Sequence, residues 1–177
     1  MTSAQELRRD FDGSFAAPPA THSMDPAEDF LAVRIGSDAY ALRLAQLRDL
    51  VADRRITRVP SPIAELLGVA SMRGMVVPVY SLPALLGYPE SPPLSRMVLA
   101  GMSELLGLAF ERFEAHLRAR PDELASAAEE WRGRVWLREV VRSGQRVLPV
   151  VDIPCLIDEI VNRNRNSAHE RSARNTE

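Results

Sequence analysis

The chain has 177 residues, 46% apolar and 26% charged, which allows a buried core in one domain or in two small halves that share one. A net charge of −2 gives no bulk attraction to nucleic acid or anionic lipid, and 6% aromatic residues are too few for a base-stacking platform. All 22 cationic residues are arginine, which excludes a Gly-Lys phosphate loop, a kinase strand lysine and Schiff-base chemistry.

The single cysteine, Cys155, cannot form an internal disulfide. No basic-then-apolar start marks a secretory signal, and no apolar run is long enough to span a membrane. The expectation is a cytoplasmic protein without direct membrane insertion.

Residues 1–28 read as a tail with one helical patch. Ser3 to Glu6 fits a capping box, and Leu7, Phe11 and Phe15 then recur every four residues as one apolar stripe. Such a short helix is marginal alone in water, so the stripe docks on the protein's own body or on a partner, or stays disordered. Pro18-Pro19 ends it.

The body begins near Phe30. Residues 30–35 and 40–42 flank Gly36-Ser37-Asp38 as a hairpin. Leu44, Leu47, Leu50 and Val51 fit a short helix or a strand start, and 54–59 reads as a strand closed by Pro60-Ser61-Pro62. A second hairpin places 68–72 and 75–80 around Arg73-Gly74, Ser81 caps a short helix, and 87–93 is a linker. Residues 96–100 and 105–110 form a hairpin around 102–104. The polar, alanine-rich 111–134 is undecided between helix and loop. Residues 135–142 and 146–151 flank Ser143-Gly144-Gln145, 153–162 is a closing helix, and 163–177 is a polar, disordered tail.

One internal echo organises these elements. The stretch from Met75 to Pro83 resembles that from Arg146 to Pro154: each follows a glycine turn, runs strand, proline, strand end and polar residue, then enters an apolar helix. Each half alone is too small for comfortable stability, so the two share a buried interface.

Catalytic constellations are absent from the sequence. His22, His116 and His169 lack metal spacing, and one cysteine makes no structural zinc site. Glu111/Glu114 and Glu129-Glu130 sit among arginines and read as solvated surface. No dinucleotide glycine motif occurs. The expectation is therefore no catalytic residue, no cofactor and no metal. Arg73, at a hairpin tip, is singled out as outward-facing; Leu47 and Leu50 could be core or could line a groove.

The order of Phe30-Leu31, Gly36, Tyr40, Thr57-Arg58-Val59-Pro60, Gly68-Val69, Met72-Arg73-Gly74 and Val76-Val77-Pro78-Val79 resembles the CheW family of bacterial chemotaxis coupling proteins. Gly107 to Phe110 and Val147 to Ile153 extend the resemblance over about residues 30–160. It implies an all-β fold with short helices: two small five-stranded β-barrels on a shared hydrophobic core, the first spanning 29–87 and the second 94–152. It implies a non-catalytic adaptor between the cytoplasmic tip of a chemoreceptor and the regulatory domain of a CheA-type histidine kinase, recruited to membrane-associated receptor arrays. A groove between the barrels would take the receptor helix, and barrel-to-barrel contacts the kinase. Carried over by position, Arg73 is implicated in coupling, Leu47, Asp49 and Leu50 in the receptor side, and Gly68 and Gly74 in shaping the hairpin. The alternatives are a scaffold that binds only one of these partners, or a small β-barrel ligand-binding protein.

Overall fold

The structure, a computed structural model, describes residues 26–52, 54–89, 94–101, 104–127 and 136–174. The N-terminal stripe and residues 128–135 lie outside them. The strands are β1 (Glu28–Ile35), β2 (Asp38–Arg43), β3 (Leu47–Ala52), β4 (Leu66–Met72), β5 (Met75–Ser81), β6 (Arg96–Ala100), β7 (Leu106–Phe110), β8 (Arg112–Ala119), β9 (Leu124–Ser126), β10 (Leu137–Ser143) and β11 (Arg146–Val151). Helix α1 (Leu82–Leu85) follows β5, and α2 (Ile153–Arg174) follows β11.

Two sheets result, in the orders β8-β1-β2-β11-β10-β9 and β3-β6-β7-β5-β4. Apart from the three-residue β9, they share one plan. A hairpin lies parallel to the second strand of another hairpin, through β11 on β2 and β5 on β7, and a further strand pairs with that hairpin's first strand, β8 with β1 and β3 with β6. The internal echo is thus real, but its halves do not divide as the sequence reading expects. Strands β1 and β2 sit in the sheet completed by the second half, and β6 and β7 in the sheet completed by the first. The division into 29–87 and 94–152 is therefore corrected: each half contributes two strands to one sheet and three or four to the other. Neither half can close a sheet without its counterpart.

Burial explains the exchange. Strand β1 is buried on both faces: Leu31, Val33 and Ile35 point into a core shared between the sheets, while Phe30 and Ala32 fill the interior of the six-stranded sheet. Strand β6 divides likewise, with Val98 and Ala100 in the shared core and Met97 and Leu99 inside the five-stranded sheet. Such strands read as unbroken apolar runs because both faces leave water. The shared core takes the bulk of the large side chains, among them Tyr40, Leu42, Leu82, Leu108, Phe110, Ile153 and Leu156.

The echoed polar residues do the same work. The Ser81 hydroxyl accepts the Ala84 N–H at 3.2 Å, and an Asp152 carboxylate oxygen accepts the Cys155 N–H at 3.2 Å, so each caps the helix its strand runs into.

Three expectations change. Residues 54–59 do not form a strand; only Thr57 bridges to Val69. Within 111–134, β8 is an eight-residue strand. Its Phe113, Ala115, Leu117 and Ala119 alternate with polar residues, a period-two signal masked by the alanine-rich composition. The closing helix does not stop at 162 but runs to Arg174. Ile153, Leu156 and Ile160 dock its first turns in the shared core, so nucleation is already met and polar residues can propagate the helix. Beyond the expected end, Arg163 donates to Glu159 at 2.9 Å, and Asn164 donates to the Tyr80 hydroxyl at 2.9 Å.

Candidate functional site

The β4–β5 hairpin turns in two residues, Arg73-Gly74, between the paired Met72 and Met75. Both turn residues have positive φ, 47° and 82°, the pattern of a type I′ turn. Gly74 meets that demand freely; Arg73 does not, and among the described residues it is the only non-glycine with positive φ. Asparagine, aspartate or glycine would ordinarily stand there.

The Arg73 guanidinium donates to Asp49 Oδ2 at 2.9 Å, while Asp49 Oδ1 accepts the Leu50 N–H at 2.9 Å. Strands β3 and β4 are opposite edges of their sheet, so this contact requires the sheet to curl toward a barrel. The Arg73 side chain remains 81% exposed, and such an exposed ion pair contributes at most about 1 kcal/mol. The pair orients the arginine more than it stabilises the fold. Around it lie the exposed Leu50, Met75 and Val76, the last 73% accessible. A depression of about 500 Å³ runs from Asp49 and Leu50 to Met72 and Arg73.

Leu47 goes elsewhere. The β3–β6 register shifts between Leu47, opposite Ala100, and Asp49, opposite Leu99. Residues two apart on a regular strand share a face; the bulge at Arg48 breaks that rule. Leu47 therefore packs on the shared core, whereas Val51 packs on the interior of the five-stranded sheet. Leu47 forms part of a groove of about 670 Å³ between the start of β3, the end of β6 and the first turns of α2. Its apolar surface comes from Leu47, Pro154, Ile157 and Val161 over the buried Ile153, with Arg48 and Glu104 on one side and Asp158 on the other. Gln46 Oε1 accepts the Ile153 N–H at 3.3 Å and ties the two walls together.

Of the sequence-selected residues, the structure brings Arg73, Asp49 and Leu50 together, with Gly74 in the turn, and separates Leu47 from them. Gly68 lies outside the turn. It sits at the β4 bulge with φ of 144°, where an added Cβ would stand 2.2 Å from the Thr57 carbonyl oxygen. Its role is to admit the Thr57–Val69 bridge, not to shape the tip. The sequence reading overlooked Gln46, Ile157, Val161 and Met75. The apolar spacing of α2 was the available signal for Ile157 and Val161.

A second charged cluster lies on the other sheet. Glu114 accepts from Arg34 and from Arg146, the latter at 2.8 Å. Burial opposes ionisation of Glu114, but hydrogen bonds from Arg146 and Arg34, with their charge, outweigh it and hold the carboxyl below its ordinary range. Burial, followed by the nearby Asp152 charge, pushes the Cys155 thiol above its ordinary range. Among the described residues, no group of three or more His, Cys, Asp or Glu side chains could hold a metal ion, and no helix is long and apolar enough to cross a membrane.

The family model for the CheW-like domain matches residues 29–161. The chain belongs to the CheW-like domain family. Curated relatives are similarly named: "Probable chemotaxis protein CheW" of Rhizobium etli is 24% identical over 137 residues, covering 74% of this chain and 88% of that protein. "Chemotaxis protein CheW" of Bacillus subtilis is 22% identical over 144 residues, covering 78% and 92%. The crystal structure of the scaffolding protein TtCheW from Thermoanaerobacter tengcongensis superposes with a TM-score of 0.63 at 14% identity, over 70% of this chain and 88% of that one. That likeness establishes the fold of two small β subdomains.

Proposed function

We propose that this protein is a non-catalytic signalling adaptor that couples the cytoplasmic tip of a chemoreceptor to the regulatory domain of a CheA-type histidine kinase. It would work in the cytoplasm, at membrane-associated receptor arrays. The observation that carries this reading is the bulge at Arg48, which places two different surfaces back to back on one short strand. The apolar groove at Leu47 suits an amphipathic helix, the form a receptor tip would present. The Arg73 tip, with Leu50, Met75 and Val76, suits a flat partner such as another β-barrel.

Strand β3 contributes to both surfaces, so occupation of one can bias the other. Coupling requires only that affinity differ between kinase-on and kinase-off arrangements. Arg73→Glu would reverse the charge at the tip and repel Asp49. In pull-downs with a receptor fragment and the kinase regulatory domain, assembly should weaken about tenfold or more while the melting temperature stays nearly unchanged. Loss of one partner only would identify a scaffold for that partner alone. Undiminished capture of both would overturn the assignment of Arg73.

A further inference from the structure

We infer that the groove beside α2 has an occupant within the same chain: the N-terminal stripe of Leu7, Phe11 and Phe15, which competes there with an incoming helix. This rests on the reading of the groove as a helix-docking site and adds its regulation.

Chain geometry supports it first. Strand β1 starts at Glu28, whose carboxylate accepts from Arg43. Arg43 is the residue before the Leu44–Gln46 turn, and Ala45 and Gln46 of that turn line the groove. The chain therefore enters the domain beside the groove. From Phe15 to Glu28 it can span at most about 45 Å, ample for so near a target.

Shape and charge support it next. At 100° per residue, Leu7, Phe11 and Phe15 form one narrow stripe, with Arg8 on one flank and Asp10 toward the other. The groove offers an apolar strip of Leu47, Pro154, Ile157 and Val161, with Arg48 and Glu104 on one side and Asp158 on the other. In one of the two helix polarities Arg8 faces Asp158, while Asp10 falls on the side that carries both Arg48 and Glu104, so the charge match rests on Arg8. A short helix of this kind is marginal alone, and docking supplies the burial it lacks. The tether makes weak docking effective, because it holds the segment at a local concentration in the millimolar range.

The test uses the full chain and its Leu7→Asp/Phe11→Asp variant, both changes lying outside the domain core. Hydrogen exchange of residues 44–48 and 153–161 reads occupancy directly, and a synthetic receptor-tip helix reads competition. The expected result is faster exchange at both stretches in the variant and binding of the helix about three- to tenfold tighter. Identical exchange in the two proteins overturns the proposal. Protection that falls on dilution also overturns it, in favour of a second copy as occupant. If exchange changes as expected but neither protein binds the receptor helix, cis docking stands and the receptor assignment of the groove falls.

Discussion

The two sheets solve the same problem with the same parts and use them differently. In each, an arginine at or beside a hairpin tip reaches a carboxylate on an edge strand from the same half of the chain: Arg73 to Asp49 on β3 at 2.9 Å, and Arg146 to Glu114 on β8 at 2.8 Å. In the six-stranded sheet the carboxylate is enclosed, 13% exposed, and held also by Arg34. Its hairpin turns on Gly144 and Gln145, with the positive φ assigned to glycine. In the five-stranded sheet the carboxylate is 33% exposed, and the arginine itself occupies the strained position of the turn. The enclosed version is a structural lock. The open version leaves its cation 81% exposed on a disfavoured backbone.

The largest effect should come from the position where backbone meets backbone. Gly68→Val places a side chain 2.2 Å from the Thr57 carbonyl at a φ of 144°. Urea denaturation should show a loss of about 3 kcal/mol or more, or loss of folded protein. Gly74→Ala has open space around the new Cβ and pays only for its φ of 82°, about 1–2 kcal/mol. Equal costs at the two sites would mean that the Thr57 segment yields easily.

Charge reversal at the two arginines sharpens the contrast between lock and presentation. Arg146→Glu should lower stability by about 1 kcal/mol, discounted for the exposure of Arg146, and leave partner capture at the Arg73 tip intact. Arg73→Glu should leave stability nearly unchanged and weaken capture. The check is one denaturation curve and one binding titration per variant. Equal loss of stability in both would erase the distinction drawn between the sheets.

The hairpins, the two caps and the tip position of Arg73 are legible in the sequence because each depends on neighbours a few residues apart. The exchange of strands is not. It depends on the parallel pairs β5–β7 and β11–β2, which join segments far apart in the chain and leave only unbroken apolar runs as their trace. The candidate site was half legible for a related reason. Leu47 and Asp49 look like one surface on a regular strand, and nothing in their sequence announces the bulge between them. The left-handed backbone of Arg73 is equally silent, since Arg-Gly lacks the Asn-Gly or Asp-Gly signature of its turn type.

The enclosed carboxylate also has a pH signature. Because the folded-state value of Glu114 lies below its ordinary 4.5, the group stabilises the fold above that pH. The contribution fades as pH falls through the lowered folded value. Glu114→Gln should therefore cost stability at pH 7 and progressively less below about pH 4.5, so that the two stability curves converge in acid. Parallel curves would show that Glu114 acts through packing alone.

The smallest effect is the most telling about the open site. Asparagine tolerates the left-handed region better than arginine does, so Arg73→Asn should relieve strain at φ 47° while removing a weak surface ion pair. The two terms are of similar size and opposite sign. The net change should be a gain of no more than about 0.5 kcal/mol, read by urea denaturation. Partner capture should nevertheless fall as it does for Arg73→Glu, though less steeply, because the cation is lost without being reversed. A variant at least as stable as the parent and weaker in assembly would show that Arg73 serves the partner and not the fold. A clear loss of stability would return it to the role of an ordinary structural residue, like its counterpart Arg146.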